Sequence, residues 1–227
     1  MLDWENIETV LLDMDGTLLD LHFDNYFWAD HLPREYAQRH ALSIEGARDS
    51  LFHHMEQIYG TLDWYCLDYW SDYLDMDVLA LKREVEHLIA LRPFVQEFLL
   101  WLKKKNKRSI LITNAHPASL NLKLGKTGLD NWLDKVLSSH DLGVPKEYQR
   151  FWQDLQKREE FDPGKTLFID DTLPILRAAR TFGIAHVLGV KKPDSQNQSK
   201  DFEEIDAIDD FIELMRVDGF EKGRDEA

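Results

Sequence analysis

The most constraining stretch of the sequence lies near its start. Residues Thr9 to Met14 read Thr-Val-Leu-Leu-Asp-Met, and Asp15-Gly16-Thr17 follows. A short β-rich apolar run of this kind suits a strand buried on both faces. Gly16 permits a sharp exit from it. Asp13 and Asp15 fall two apart at the carboxyl end of the run, so strand periodicity places them on the same side. Carboxylates so placed repel each other unless a cation or a shared proton relieves them. A solvated turn would hold both without penalty, but the residues before them are too apolar for a surface turn. One aspartate could cap a helix; two at this spacing, followed by Gly16-Thr17, are harder to account for that way.

Beyond this strand the texture changes. From about Phe23 to Leu91, apolar and polar residues recur at spacings of three and four, broken only by Pro33, Gly46 and Gly60. This pattern predicts about four helices, with Ser43 and Asp77 as N-caps and the last helix running towards Arg92. After Pro93, strands and helices alternate. Helices are expected over Phe94 to Lys104, Pro117 to Thr127 (closed by Gly128), Pro145 to Arg158, and Leu173 to Phe182 (closed by Gly183). Strands are expected at Ser109 to Thr113, Lys135 to Ser138, Thr166 to Asp170 and Ala185 to Leu188. A further amphipathic segment lies around Ile205 to Met215, and residues Asp218 to Ala227 are expected to fray. Alternating strands and helices imply a parallel sheet with right-handed crossovers. The fold class is therefore α/β: a three-layer Rossmann-like core, formed by residues 1–20 and 93–227, with a helical cap inserted at 21–92. Ligands of open α/β sheets sit beyond the carboxyl ends of the strands, so an insertion leaving the first strand there would lie over the site as a lid.

Charge narrows the partners. The 227 residues carry a formal net charge of −15, which repels polyphosphate backbones and argues against nucleic-acid polymers and anionic membranes as main partners. A small phosphorylated substrate remains compatible, because a bound divalent cation inverts the local field. No run approaches the roughly 20 apolar residues needed to span a bilayer. The acidic start Met1-Leu2-Asp3-Trp4-Glu5 lacks the pattern of a secretory signal. Cys66 is the single cysteine, so no internal disulfide can form, and a cytoplasmic location is expected. It lies between aromatic residues, where a packed thiol is expected.

The segment Asp13-Met14-Asp15-Gly16-Thr17-Leu18 resembles the first motif of the haloacid-dehalogenase-like superfamily, hydrophobic residues followed by DxDGT. Three further stretches resemble that family's other motifs in the right order. These are Ile110-Leu111-Ile112-Thr113-Asn114, Lys146, and Phe168-Ile169-Asp170-Asp171. Together they span Asp13 to Asp171. The resemblance implies a magnesium-dependent phosphatase with Asp13 as nucleophile and Asp15 as general acid/base. A carboxylate can attack phosphorus to form an aspartyl-phosphate, splitting one hard step into two. Magnesium takes oxygen ligands. The resemblance assigns these to Asp13, the backbone carbonyl of Asp15, and Asp171, with Asp170 as second choice and otherwise orienting Lys146 or a metal-bound water. Thr113 and Asn114 would bind the phosphoryl group, Thr113 through its hydroxyl and Asn114 through its backbone N–H at the start of the next helix. Taken alone, that pair reads as helix capping. Lys146 would balance the charge shared by Asp13 and phosphate. Many relatives have Lys-Pro here, whereas this chain has Pro145-Lys146-Glu147, which leaves the lysine's orientation open. Lys123 and Lys126 compete less well for the same role.

The second aspartate also bears on the reaction, since dehalogenases of the superfamily lack it. Asp15 thus argues against dehalogenation, while phosphomutases remain an alternative. Asp24-Asn25-Tyr26-Phe27-Trp28, the segment Trp64 to Trp70, and Thr113-Asn114-Ala115-His116-Pro117 together resemble bacterial purine 5′-nucleotidases acting on GMP and IMP. That likeness implies hydrolysis of a purine nucleoside monophosphate. A sugar-phosphate phosphatase and a non-enzymatic regulator on the same fold stand as alternatives. Most cap aromatics are expected to form the bundle's own core, with Phe27 or Trp64 free to contact a ligand. His53 and His54 point apart on a helix and are expected at the cap surface. His116 either touches substrate or starts a helix.

Overall fold

The computed structural model describes residues 2–202 and 204–215. The expectation for Asp218 to Ala227 lies outside the described residues. Six strands form one all-parallel sheet: β1 (Thr9–Leu12), β2 (Arg108–Thr113), β3 (Lys135–Ser138), β4 (Thr166–Asp170), β5 (His186–Val190) and β6 (Ala207–Ile208), in the order β3-β2-β1-β4-β5-β6. The apolar first run occupies the middle of the sheet because it has no polar face to offer solvent. Val10 and Leu12 pack into one core with Leu111, Leu167 and Ile169, while Leu11 packs into the opposite one with Ile110, Ile112 and Phe168. This alternation is what a strand buried on both sides requires.

Between β1 and β2 the chain forms α1 (His22–Tyr26), α2 (Leu32–His40), α3 (Ile44–Ile58), α4 (Leu62–Tyr65), α5 (Leu67–Leu74) and α6 (Val78–Glu84). A π-turn, Phe27–His31, joins α1 to α2. Pro33 has no N–H to offer the Ala29 carbonyl one turn back; Arg48 Nε donates to that oxygen instead, at 3.3 Å. Ser43 and Asp77 cap α3 and α6 as expected, accepting from the N–H groups of Gly46 and Ala80. The last helix stops at Glu84 rather than running towards Arg92. Leu91 pairs with Leu19, and the N–H groups of Asp20 and Arg92 donate to the carbonyls of Ala90 and Leu18, which demands extended chain there. The outgoing and returning strands of the insertion are thus tied together at its neck.

Past the neck come α7 (Val95–Lys104), α8 (Pro117–Thr127), α9 (Gln149–Glu159), α10 (Leu173–Phe182) and α11 (Ile212–Met215). Helices α7 and α11 cover one face of the sheet, and α9 and α10 the other, giving the three-layer α/β architecture. Two expectations change. The helix expected from Pro145 begins only at Gln149; residues Pro145 to Tyr148 form a turn that aims Lys146 inwards. The amphipathic segment around Ile205 to Met215 is not one helix. Ala207–Ile208 extends the sheet beside β5, and Phe211 then turns in to stack on Phe98 at 4.8 Å. Among the described residues, no helix is long and apolar enough to cross a membrane.

Candidate active site

The carboxyl ends of β1, β2 and β4 bring Asp13, Thr113 and Asp170 together where open parallel sheets place their ligands. Asp13 continues the ladder, donating its N–H to the Ile169 carbonyl at 3.0 Å, so its side chain is aimed by the sheet itself. Lys146 reaches in from the β3–α9 turn. Its Nζ donates to Asp13 Oδ1 at 2.6 Å and to Asp170 Oδ2 at 2.7 Å. Its backbone is fixed from both sides: Lys146 N–H donates to Asn114 Oδ1, and Trp152 Nε1–H donates to the Lys146 carbonyl. The orientation left open by Pro145-Lys146-Glu147 is therefore settled by Asn114 and Trp152. Asn114 does not open the next helix, which begins at Pro117; its amide holds Lys146 and donates to Glu147 Oε2. Thr113 Oγ1 accepts the Ala115 N–H at 3.0 Å.

Three carboxylates converge here. Oxygens of Asp13, Asp170 and Asp171 lie within 4.8 Å of one another, and all three residues are buried. Burial pushes the Asp13 carboxyl up to about 7, Lys146 opposing and Asp170 and Asp171 adding to the rise. Burial likewise raises Asp170 to about 6 against the pull of Lys146. One buried ammonium does not balance three buried carboxylates, and this all-oxygen donor set suits a hard divalent cation. Asp171 keeps one oxygen under the Thr172 hydroxyl, and the other accepts from the half-exposed Lys200 at 2.8 Å. Gly16 closes the floor at φ +86°. A Cβ there would sit 2.7 Å from Asp171 Cγ, so both backbone angle and space require glycine.

Asp15 sits on a second ion chain. Lys123 of α8 donates to Asp15 Oδ1 at 2.6 Å and to Asp24 Oδ2 at 2.7 Å, and Lys82 of α6 donates to Asp24 Oδ1 at 2.7 Å. Burial lifts Asp15 to about 7 despite Lys123, with Asp24 and Asp13 adding to the rise. Burial would raise Asp24 too, but Lys123 and Lys82 outweigh it and hold that carboxyl below its ordinary range. Lys82 also lies over the rings of Phe27 and Phe23, at 4.5 and 4.8 Å from their centroids. Lys123 is therefore no substitute for Lys146: it serves the other aspartate. Lys126 stays exposed beside Glu86.

Above these groups opens a cavity of about 820 Å³, walled by the sheet ends below and by Trp28, Phe52, Met55, Tyr59, Trp64 and Trp70 of the insertion. Trp64 lines it. Phe27 does not, because it is fully buried beneath Lys82. Phe52 and Tyr59 are exposed, and Tyr59 meets Trp64 edge-on at 5.2 Å. His53 is exposed, while His54 stacks on Tyr73 at 3.7 Å and hydrogen-bonds the Tyr69 hydroxyl. His116 caps α8 and also borders the cavity.

Sequence reasoning did not find the chain Lys123–Asp24–Lys82, nor Lys200, nor the Tyr65–Glu147 contact of 2.6 Å that ties insertion to core. A signal for two of them existed. Lys82 and Lys123 occupy the apolar faces of their helices, beside Val78 and Leu81 and beside Leu120, where a charge requires a buried partner.

With this geometry in view, residues 7–183 match the haloacid dehalogenase-like hydrolases, and the chain belongs to that family. It is 43% identical over 212 residues to the GMP/IMP nucleotidase YrfG of Escherichia coli K12, covering 93% of this chain and 96% of the relative. It is a phosphoric monoester hydrolase of the nucleotidase-like kind. Among solved structures it is similar to a HAD phosphatase from Thermococcus onnurineus (TM-score 0.78, 21% identity, 94% of this chain and 98% of that one). It also resembles the HAD-hydrolase YfnB from Bacillus subtilis, described as bound to magnesium (TM-score 0.66, 17% identity, 93% and 98%). At those identities the two structures speak for the fold.

Proposed function

We propose that this protein hydrolyses a purine nucleoside 5′-monophosphate, GMP or IMP, through an aspartyl-phosphate on Asp13. The observation that carries the reading is the placement of Asp13 on the floor of an aromatic-walled cavity, held at 2.6 Å by a lysine it shares with Asp170. Asp13 Oδ attacks phosphorus and the bond to the ester oxygen breaks. Asp15, raised to about 7 and thus near working pH, gives its proton to the leaving oxygen. Water then attacks the phosphorus, Asp15 takes up its proton, and phosphate departs, restoring Asp13. Lys146 holds the attacking carboxylate and offsets developing charge, with Thr113 binding a phosphoryl oxygen. Asn114 contributes by fixing Lys146.

Magnesium fits the cluster of three buried carboxylates. Asp13, the Asp15 carbonyl and Asp171 would hold it, with Asp170 second because its Oδ2 already engages Lys146. When bound, it supplies charge neutralisation at the phosphoryl oxygens.

We assign residues 1–20 and 93–227 to the core and 21–92 to a cap. Purine bases present a flat face to the exposed Phe52 and Tyr59 and the half-buried Trp64, and stacking on such rings is sequence-tolerant but shape-selective. The 43% identity to a nucleotidase named for GMP and IMP supports the same substrate class. A small nucleotide of the cytoplasm is the proposed partner. Phosphate release from GMP, IMP, AMP, UMP and sugar phosphates, with magnesium and with EDTA, tests this. The reading expects magnesium-dependent release, fastest from GMP and IMP; a preference for sugar phosphates would discard the substrate and keep the chemistry.

A further inference from the structure

A second group of metal-ligating side chains lies outside the catalytic cluster, where the insertion meets the core. Cys66 comes from the junction of α4 and α5; His116 precedes α8; His140 follows β3. Their ligand atoms all lie within 4.8 Å of one another. The two imidazoles meet at 88°, with centroids 5.0 Å apart. Asp68, a highly exposed side chain in the first turn of α5, brings a carboxylate oxygen to 3.5 Å from His116 Nε2.

One atom singles this group out from chance proximity. His140 Nε2 is buried and has no hydrogen-bond partner. Burying a polar nitrogen without a partner is unfavourable, and such groups call for a specific explanation. With Nε2 unpartnered, the ring carries a nitrogen that no neighbouring group claims. A buried imidazole nitrogen without a hydrogen-bond partner can present its lone pair for ligation.

We infer that Cys66, His116 and His140, completed by Asp68, form a site for a thiophilic divalent cation of the zinc class that pins the insertion against the core. The donor set of one thiolate, two imidazoles and one carboxylate suits tetrahedral zinc and is a poor match to magnesium. Tetrahedral ligands at the usual bond lengths lie about 3.3–3.8 Å apart, so the group must draw in by roughly 1 Å. Asp68 is free to move, and binding displaces one proton from the Cys66 thiol to solvent. His116 Nδ1 now accepts the Ala118 N–H at 3.3 Å; ligation through Nε2 moves its proton to Nδ1 and gives up that long bond. Because Cys66 and Asp68 belong to the insertion and both histidines to the core, a bound cation would hold the cavity closed and slow exchange of substrate and product.

The inference does not depend on the identity of the nucleotide. Its test is a titration of the full-length protein with Co²⁺ under saturating magnesium. The readouts are thiolate-to-cobalt charge-transfer absorption and cobalt retained after gel filtration. One retained ion per chain with that absorption is expected. Cys66→Ser should abolish the band and weaken binding by about 100-fold or more. His140→Gln should weaken binding similarly, as a separate probe should Cys66→Ser fold poorly. Asp13→Asn, which damages the catalytic cluster, should keep both band and stoichiometry. Zinc should inhibit p-nitrophenyl phosphate hydrolysis by the wild type and not by Cys66→Ser, whose activity without zinc stays unchanged. Absence of the band in the wild type, unchanged binding in Cys66→Ser and His140→Gln, or loss of binding in Asp13→Asn would each overturn the site.

Discussion

The two walls of the cavity are built on opposite plans. On the sheet side the reacting groups are held: Asp13 by a ladder hydrogen bond and Lys146, Lys146 by Asn114 and Trp152, Asp15 by Lys123. On the insertion side the outer surface is aromatic, with Phe52 and Tyr59 exposed, and polar groups such as Asp24, Lys82 and Tyr65 are fixed where it meets the core. Chemistry at phosphorus tolerates little displacement of its reacting groups, so it rests on buried ion pairs at rigid strand ends. Recognition of the leaving group needs only complementary shape, and an aromatic wall can be repacked without disturbing that chemistry.

The comparison breaks if variants on the two sides behave alike. Asp13→Asn should lower kcat by roughly 10⁴-fold or more for every phosphomonoester, since it removes the attacking oxygen; steady-state rates on nucleotide and p-nitrophenyl phosphate check this. Gly16→Ala forces a side chain into Asp171 at φ +86° and should destabilise the protein by about 2 kcal/mol, read by urea unfolding, while weakening magnesium activation. On the other wall, Tyr59→Ala and Trp64→Ala should cut kcat/KM for GMP by about 10-fold each and leave p-nitrophenyl phosphate nearly unaffected. Equal losses on both substrates would place those rings in the catalytic architecture instead.

A stability measurement sharpens the comparison further. The folded protein raises Asp13 from 3.8 to about 7, so its charged form is the disfavoured one. Below the unfolded value both states are protonated and no penalty exists. The penalty grows as pH rises from about 4 to 7 and is complete above that. Metal-free wild type should therefore lose melting temperature relative to Asp13→Asn across this window, by a few degrees, and magnesium should reverse the loss at pH 8. A difference that is flat with pH would contradict the burial argument.

Much of the sheet side was legible because its signals are local. The apolar run before Asp13, the glycines closing α8 and α10, and the acidic pair ending β4 each occupy a few neighbouring residues. What was not legible is long-range. Lys123 meets Asp15 across 108 positions, and Tyr65 meets Glu147 across 82, so no window of sequence contains either pair. The start of α9 was misplaced because proline suits a first helical turn, whereas the Lys146 N–H is claimed by Asn114 and the turn is held open until Gln149. The two helix ends towards Arg92 and Met215 were overrun for a related reason: strand pairing at the neck and at the sheet edge overrides helical periodicity.

The most direct test is to find the covalent intermediate. Acid quenching during turnover of GMP, followed by borohydride reduction, converts an aspartyl-phosphate to homoserine, which peptide mass spectrometry locates. The account predicts homoserine at position 13, dependent on substrate and magnesium. Homoserine at Asp15, Asp170 or Asp171, or none at all under conditions of rapid turnover, would contradict it.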